Sequence, residues 1–247
     1  WTDVVGGGGR VAVVVTNAGD FDKIVFQAFA GAYARGHFLG SPGTVYLEAT
    51  NHTPGEGLLI LDANNWLAST NLSTTLISSN VTDTVVGTVI ITNKARLQIA
   101  TNQSLTVLGS WTNAGTFIAD SPSTLVLGGA ASATVTGSNT FWNLTATNAG
   151  KTVLFEAGKT NRVNGTLTLG PASQSAQPVA LRSTTDGQAW FLQLADPGGA
   201  QQIGRVEVQD SDARNGQTLV AGKGSINLGH NENWTFLKAD GTLLLIR

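Results

Sequence analysis

Glu207, Asp210 and Asp212 are the densest carboxylates of the chain, in RVEVQDSDA at 205–213. Clustered oxygens suit a hard cation, which makes Ca²⁺ binding one reading of Asp210 and Asp212. Two carboxylates about 5–9 Å apart across a cleft would instead serve glycoside hydrolysis. A third reading is an Asp-Ser-Asp turn whose side chains cap backbone amides, with Arg205 and Arg214 as charge partners. The turn asks for local geometry alone and is the expectation. Asp20 and Asp22 pose the same question with fewer neighbours.

Other reactive types are scarce. His37, His52 and His230 are the only histidines, and no His-x-x-x-His or His-Glu-x-x-His spacing joins them into a zinc ligand set. With no Cys, thiolate metal sites, disulfides and cysteine nucleophiles are excluded. Ser and Thr abound without a Gly-x-Ser-x-Gly elbow. GGGGR at 6–10 invites a phosphate-loop reading, but the glycines precede a strand-like run and no Gly-Lys-Ser/Thr follows. A tight backbone corner is expected there. Trp111, Trp142, Trp190 and Trp234, with Phe117, Phe141, Phe191 and Phe236, would stack on sugars if exposed and on one another if buried; burial is the expectation. Asn-x-Ser/Thr sequons begin at Asn51, Asn71, Asn80, Asn102, Asn143, Asn164 and Asn233, as an Asn- and Thr-rich composition generates. No catalytic, cofactor-binding or metal residue is assigned, and no cofactor is expected.

The elements that carry these residues are strands. Thr, Val, Ile and Leu recur in short runs between Gly, Asn, Asp and Ser, as at 44–48, 57–61, 85–92, 104–108, 123–127, 141–147, 163–169 and 242–246. Only 23–35 (KIVFQAFAGAYAR) has any helical character, and its alternation at Ile24, Phe26 and Ala28 leans to strand. Thr-Asn-Ala-Gly occurs at 16–19, 112–115 and 147–150, and SLTVLG, STLVLG and GTLTLG close on Gly109, Gly128 and Gly170. The second interval between those glycines is about twice the first, which gives a period of roughly 20 residues. Such a period with short strands predicts an all-β fold, a right-handed parallel β-helix (β-solenoid) with coils of about 20 residues. Leu108, Leu127 and Leu169 then occupy equivalent inward positions, with Asn and Gly at the corners. An antiparallel sandwich is the alternative. The expected organisation is a Gly-rich N-terminal module at 1–65, repeat coils at 66–200, and a closing segment at 201–247 that carries a candidate assembly strand.

Composition narrows the function classes. Charged residues make up 12% of the 247, about half of the ~25% usual for soluble proteins. The net charge of −2 supplies no basic field, so nucleic acid is not an expected partner. No apolar run approaches the ~20 residues of a membrane helix. Neither Met nor Cys occurs, so the chain is expected to be a processed subunit or an excerpt of a longer protein. A lack of oxidisable sulfur also suits an extracellular material.

GGGGRVAVVV at 6–15, PGTVYLEA at 42–49, GEGLLILDANN at 55–65, LGSWTNAGTF at 108–117 and NTFWNLTATNAGKTVLF at 139–155 together resemble modules of large repetitive prokaryotic cell-surface proteins. NGTLTLG at 164–170, and RVEVQDSDA with NENW at 231–234, extend the resemblance. It implies a secreted or surface-displayed structural or adhesive β-solenoid, and it transfers no catalytic residue. The expected function is therefore a non-enzymatic subunit or segment of a surface filament, sheath or adhesin. Its expected partners are copies of itself in a head-to-tail polymer, flanking segments of a longer surface protein, or surface glycans. LLLI at 243–246 is the candidate assembly strand. The alternatives are a carbohydrate-active enzyme on a β-helix, such as a polysaccharide lyase, and a carbohydrate-binding module.

Overall fold

The computed structural model describes residues 6–21, 23–31, 40–65 and 74–238. The expected strand at 242–246, His37, Asp22 and the sequon at Asn71 lie outside them.

Among the described residues the chain forms 25 strands and no helix. Most strands alternate inward and outward side chains, as in Thr124–Leu127, where Leu125 and Leu127 are buried between half-exposed Thr124 and Val126. β-Branched residues at both kinds of position hold the extended backbone. Most strands pair in parallel with the strand three places further along the chain, an order consistent with a β-solenoid. One sheet of ten strands includes Leu58–Asp62, Thr88–Thr92, Trp111–Asn113, Ala133–Thr136, Thr152–Phe155, Val179–Ser183 and Val206–Val208. A second takes Val85–Val86, Ser104–Val107, Thr124–Leu127, Asn143–Ala146, Thr166–Leu169 and Ala200–Ile203. A third side is built from Thr75–Ile77, Arg96–Ile99 and Thr116–Ala119, then Asn139–Phe141, Thr160–Val163, Trp190–Leu194 and Ser211–Asp212. The parallel pairing overturns the sandwich alternative.

Register makes columns of like residues. Leu105, Leu125, Leu144 and Leu167 stack in succession, each on the one before. The next step, from Leu167 to Gln201, spans a longer stretch of chain and ends the run of leucines. Such columns supply one continuous core, from Leu61 to Ala221. Leu127 pairs with Val107, and Leu169 belongs to the same column through Ala146. Leu108 does not: alternation already turns Leu105 and Val107 inward, so Leu108 falls one residue past the strand. Its expected equivalence with Leu127 and Leu169 is therefore corrected.

Single apolar runs also cross corners. The run 85–92 breaks at Gly87, 141–147 at Trp142, and 163–169 between Val163 and Thr166. A Cβ on Gly87 would overlap the carbonyl of Glu56, so only glycine lets the chain turn against its neighbour there. Asn64, Asn65, Asn93, Asn102 and Asn233 take positive φ, the corner role expected of Asn.

The N-terminal strands differ. Thr44–Glu48 pairs antiparallel with Leu58–Asp62 and parallel with Arg10–Val14. Ala28, Val45 and Leu47 form a separate small core with Phe21 and Phe26. The described part of 23–35 is neither helix nor strand, because residues 28–31 instead bond to the glycine segments. Gly31 N donates to Gly6 O and Gly43 N to Ala28 O, at 3.0 and 2.8 Å. A Cβ on Gly8 or Gly43 would overlap backbone of the packed segments, so the GGGG run at 6–9 serves backbone contact.

Candidate functional site

The carboxylate cluster spans two consecutive strands, Val206–Val208 and Ser211–Asp212, and the corner between them, and each member is already engaged. Arg182 pairs with Glu207 through both its side-chain oxygen and its backbone carbonyl. Asp210, buried at positive φ, accepts from Gly187 N at 3.0 Å and meets His230 Nδ1 at 2.9 Å. Asp212 accepts from Arg214 N at 3.0 Å and from the Arg214 guanidinium at 2.7–3.2 Å. The bonds from Arg214 hold the Asp212 carboxyl below the usual carboxylate range. The expected capping of backbone amides and the Arg214 partner are present, but Ser211–Asp212 is a short strand and not a turn, and Arg205 reaches away to the carbonyls of Gly224, Gln174 and Ala176. Among the described residues no three His, Asp or Glu side chains gather as a metal ligand set.

A largely apolar cleft of about 380 Å³ lies between the antiparallel N-terminal strands and the first rungs of the main core. Leu59, Leu76, Val81, Val86, Leu97 and Leu105 line it, with Arg10, Glu48 and Asp83 as its charged groups and Tyr46 as its phenol. The alternation of TVYLE puts Tyr46 and Glu48 on one face. Tyr46 Oη donates to Glu48 Oε2 at 2.6 Å and accepts from Gly57 N at 2.9 Å; Gly55 N donates to the same Glu48 oxygen at 2.8 Å. Burial, then the bond to Glu48, raises the Tyr46 pKa; the bonds from Tyr46 and Gly55 lower that of Glu48. Asp83 Oδ1 accepts from Val85 N at 3.2 Å. A carboxylate saturated by two donors is a poor general acid, and a phenol kept protonated is a poor nucleophile. The cleft positions groups; it does not assemble an acid–base pair.

Polar side chains inside the stack form two further arrangements. Asn113, Asn139 and Asn161 are buried on successive rungs. Asn139 Oδ1 accepts from Trp111 Nε1 at 2.8 Å and Asn113 Nδ2 at 3.0 Å, and its Nδ2 donates to Asn161 Oδ1 at 3.0 Å. The next register partner of Asn161 is Leu192, and Asn161 Nδ2 is left without an acceptor. Lys151 is fully buried, with its ammonium among backbone carbonyls. Burial lowers its pKa from the ordinary lysine value. Asn113, Asn139 and Asn161 depart from the corner role given to Asn; their signal was the shared period of two with Trp111, Phe141 and Val163.

The tryptophans divide. Trp111 and Trp190 are fully buried, Trp111 edge-on to Phe117 and Trp190 stacked 4.1 Å from Phe155. Trp142 and Trp234 are half-buried. Two of the four candidate sugar platforms are therefore core residues. His52 Nδ1 accepts from Ala49 N at 3.1 Å, a local turn. Of the described sequons, Asn51, Asn80 and Asn102 are exposed, while Asn143, Asn164 and Asn233 are half-buried.

Comparison of the chain with protein-family models, curated proteins and solved structures finds no match.

Proposed function

We propose that this chain is a structural, extracellular protein without catalytic turnover, forming a subunit or segment of a surface filament, sheath or adhesin. Its architecture in this reading is a right-handed β-solenoid with coils of about 20 residues. The successive rungs of the column Leu105, Leu125, Leu144 and Leu167 support that coil length. One observation carries the functional reading. The parallel ladder continues to its last described rungs, and there Val220, Ile226, Leu228 and Leu237 are exposed. Apolar side chains beside a sheet edge with no further strand among the described residues favour strand and end-to-end contact with a further copy or a flanking segment. The carboxylates that could serve hydrolysis are engaged as turn caps and ion pairs, which favours a scaffold over a carbohydrate-active enzyme.

Electron microscopy and sedimentation of the purified chain test this. End-to-end rods lengthening with concentration are expected. A single-copy particle at all concentrations would overturn assembly, and release of reducing or unsaturated ends from polysaccharides, lost in Asp210→Asn or Asp212→Asn, would overturn the non-enzymatic reading.

A further inference from the structure

Lys151 sits at the corner just before Thr152–Phe155, and its side chain turns into the stack. Its Nζ lies 2.6 Å from Gly128 O, 2.7 Å from Ala131 O, 3.2 Å from Leu108 O and 3.5 Å from Gly129 O. These oxygens come from two earlier levels of the chain, Gly128 to Ala131 on one and Leu108 on the other. Among the described residues no carboxylate takes part, and main-chain dipoles solvate the ammonium. A neutral amine offers only two N–H donors, whereas three carbonyls within 3.2 Å use all three donors of an ammonium. Converging carbonyl oxygens of this kind replace a hydration shell, as they do around monovalent cations.

The geometry points to a monovalent-cation site formed by the carbonyls of Leu108, Gly128, Gly129 and Ala131, which Lys151 fills with its own ammonium. The chain thereby joins successive coils without a dissociable ion. Emptied of the lysine, the same cage takes ammonium or potassium. An entry path exists: a groove of about 400 Å³, walled by His52 and Glu56, runs over Leu108, Gly129 and Ala131.

The test compares melting of wild type, Lys151→Ala and Lys151→Met in ammonium, potassium or tetramethylammonium chloride at equal ionic strength. Lys151→Ala is expected to melt lower in tetramethylammonium, whose bulk excludes it from the cage. It should then recover saturably in ammonium or potassium, by roughly 3–6 °C at ten times the dissociation constant. Wild type, with the site filled, and Lys151→Met, with the space filled but no charge, should show no such selectivity. Equal melting of Lys151→Ala in all three salts would overturn the site. If Lys151→Ala does not fold in any salt, ammonium-selective ¹H–¹⁵N NMR of the wild type decides. One lysine NH₃⁺ protected from solvent exchange, absent in Lys151→Met, is expected; no protected signal overturns the proposal.

Discussion

Replacing Asn139 by Leu removes the middle of the buried amide ladder while keeping its bulk. Three side-chain groups then lose their partners inside the core: Trp111 Nε1, Asn113 Nδ2 and Asn161 Oδ1. Each buried group left unpaired costs about 1–3 kcal/mol. Partial relaxation keeps the sum towards the lower half of that range, so about 3–6 kcal/mol is expected. The companion variant, with Leu at 113, 139 and 161 together, removes most of the orphaned partners along with the ladder. It should cost no more than Asn139→Leu alone, because removing both sides of a hydrogen bond is cheaper than removing one. Urea unfolding followed by tryptophan fluorescence and far-ultraviolet circular dichroism measures both, provided the two probes coincide and the slope with denaturant is unchanged. A loss below about 1 kcal/mol for Asn139→Leu would refute the reasoning. So would a triple variant whose cost equals the sum of its parts.

Leu192 is the register neighbour of Asn161, whose Nδ2 is unsatisfied, so Leu192→Asn should cost less than Leu192→Ala in the same assay, although a buried amide is ordinarily the worse choice; the reverse order would show that the ladder does not extend. Asp212 has a folded pKa below its ordinary 3.8, so its contribution is complete above that value and is lost as pH falls through the folded pKa. The stability gap between wild type and Asp212→Asn should therefore close on acidification below pH 3.8, and a gap that widens there would contradict the Arg214 pairing.

The parallel stacking was legible because cassettes such as STLVLG and GTLTLG place Leu125 with Leu127 and Leu167 with Leu169 on an alternating inward face. The corner positions were less so. Trp142 turns the chain between strands as Gly87 does, and nothing in the composition of FWNLTAT marks the break. Lining up cassettes on their glycines put Leu108 with Leu127, whereas the pleat, which admits only every second residue, matches Val107. Asn was read by its tolerance of positive φ, true of Asn93 and Asn102 but not of Asn139, where the amide's ability to donate and accept at once governs. Lys151 gave no sequence signal, because its partners are main-chain carbonyls that any sequence carries.

The reversal between Thr44–Glu48 and Leu58–Asp62 bears on growth. Arg10–Val14, at one edge of the ten-stranded sheet, runs opposite to Ile226–Asn227 at the other. Two copies stacked in the same orientation would thus meet across an antiparallel seam, whose hydrogen bonds alternate narrow and wide instead of slanting evenly. The stack cannot template its own parallel register onto a newcomer as a cross-β fibril does. Backbone pairing at such a seam would repeat the antiparallel pattern already present between Thr44–Glu48 and Leu58–Asp62, and the side chains there would set its register.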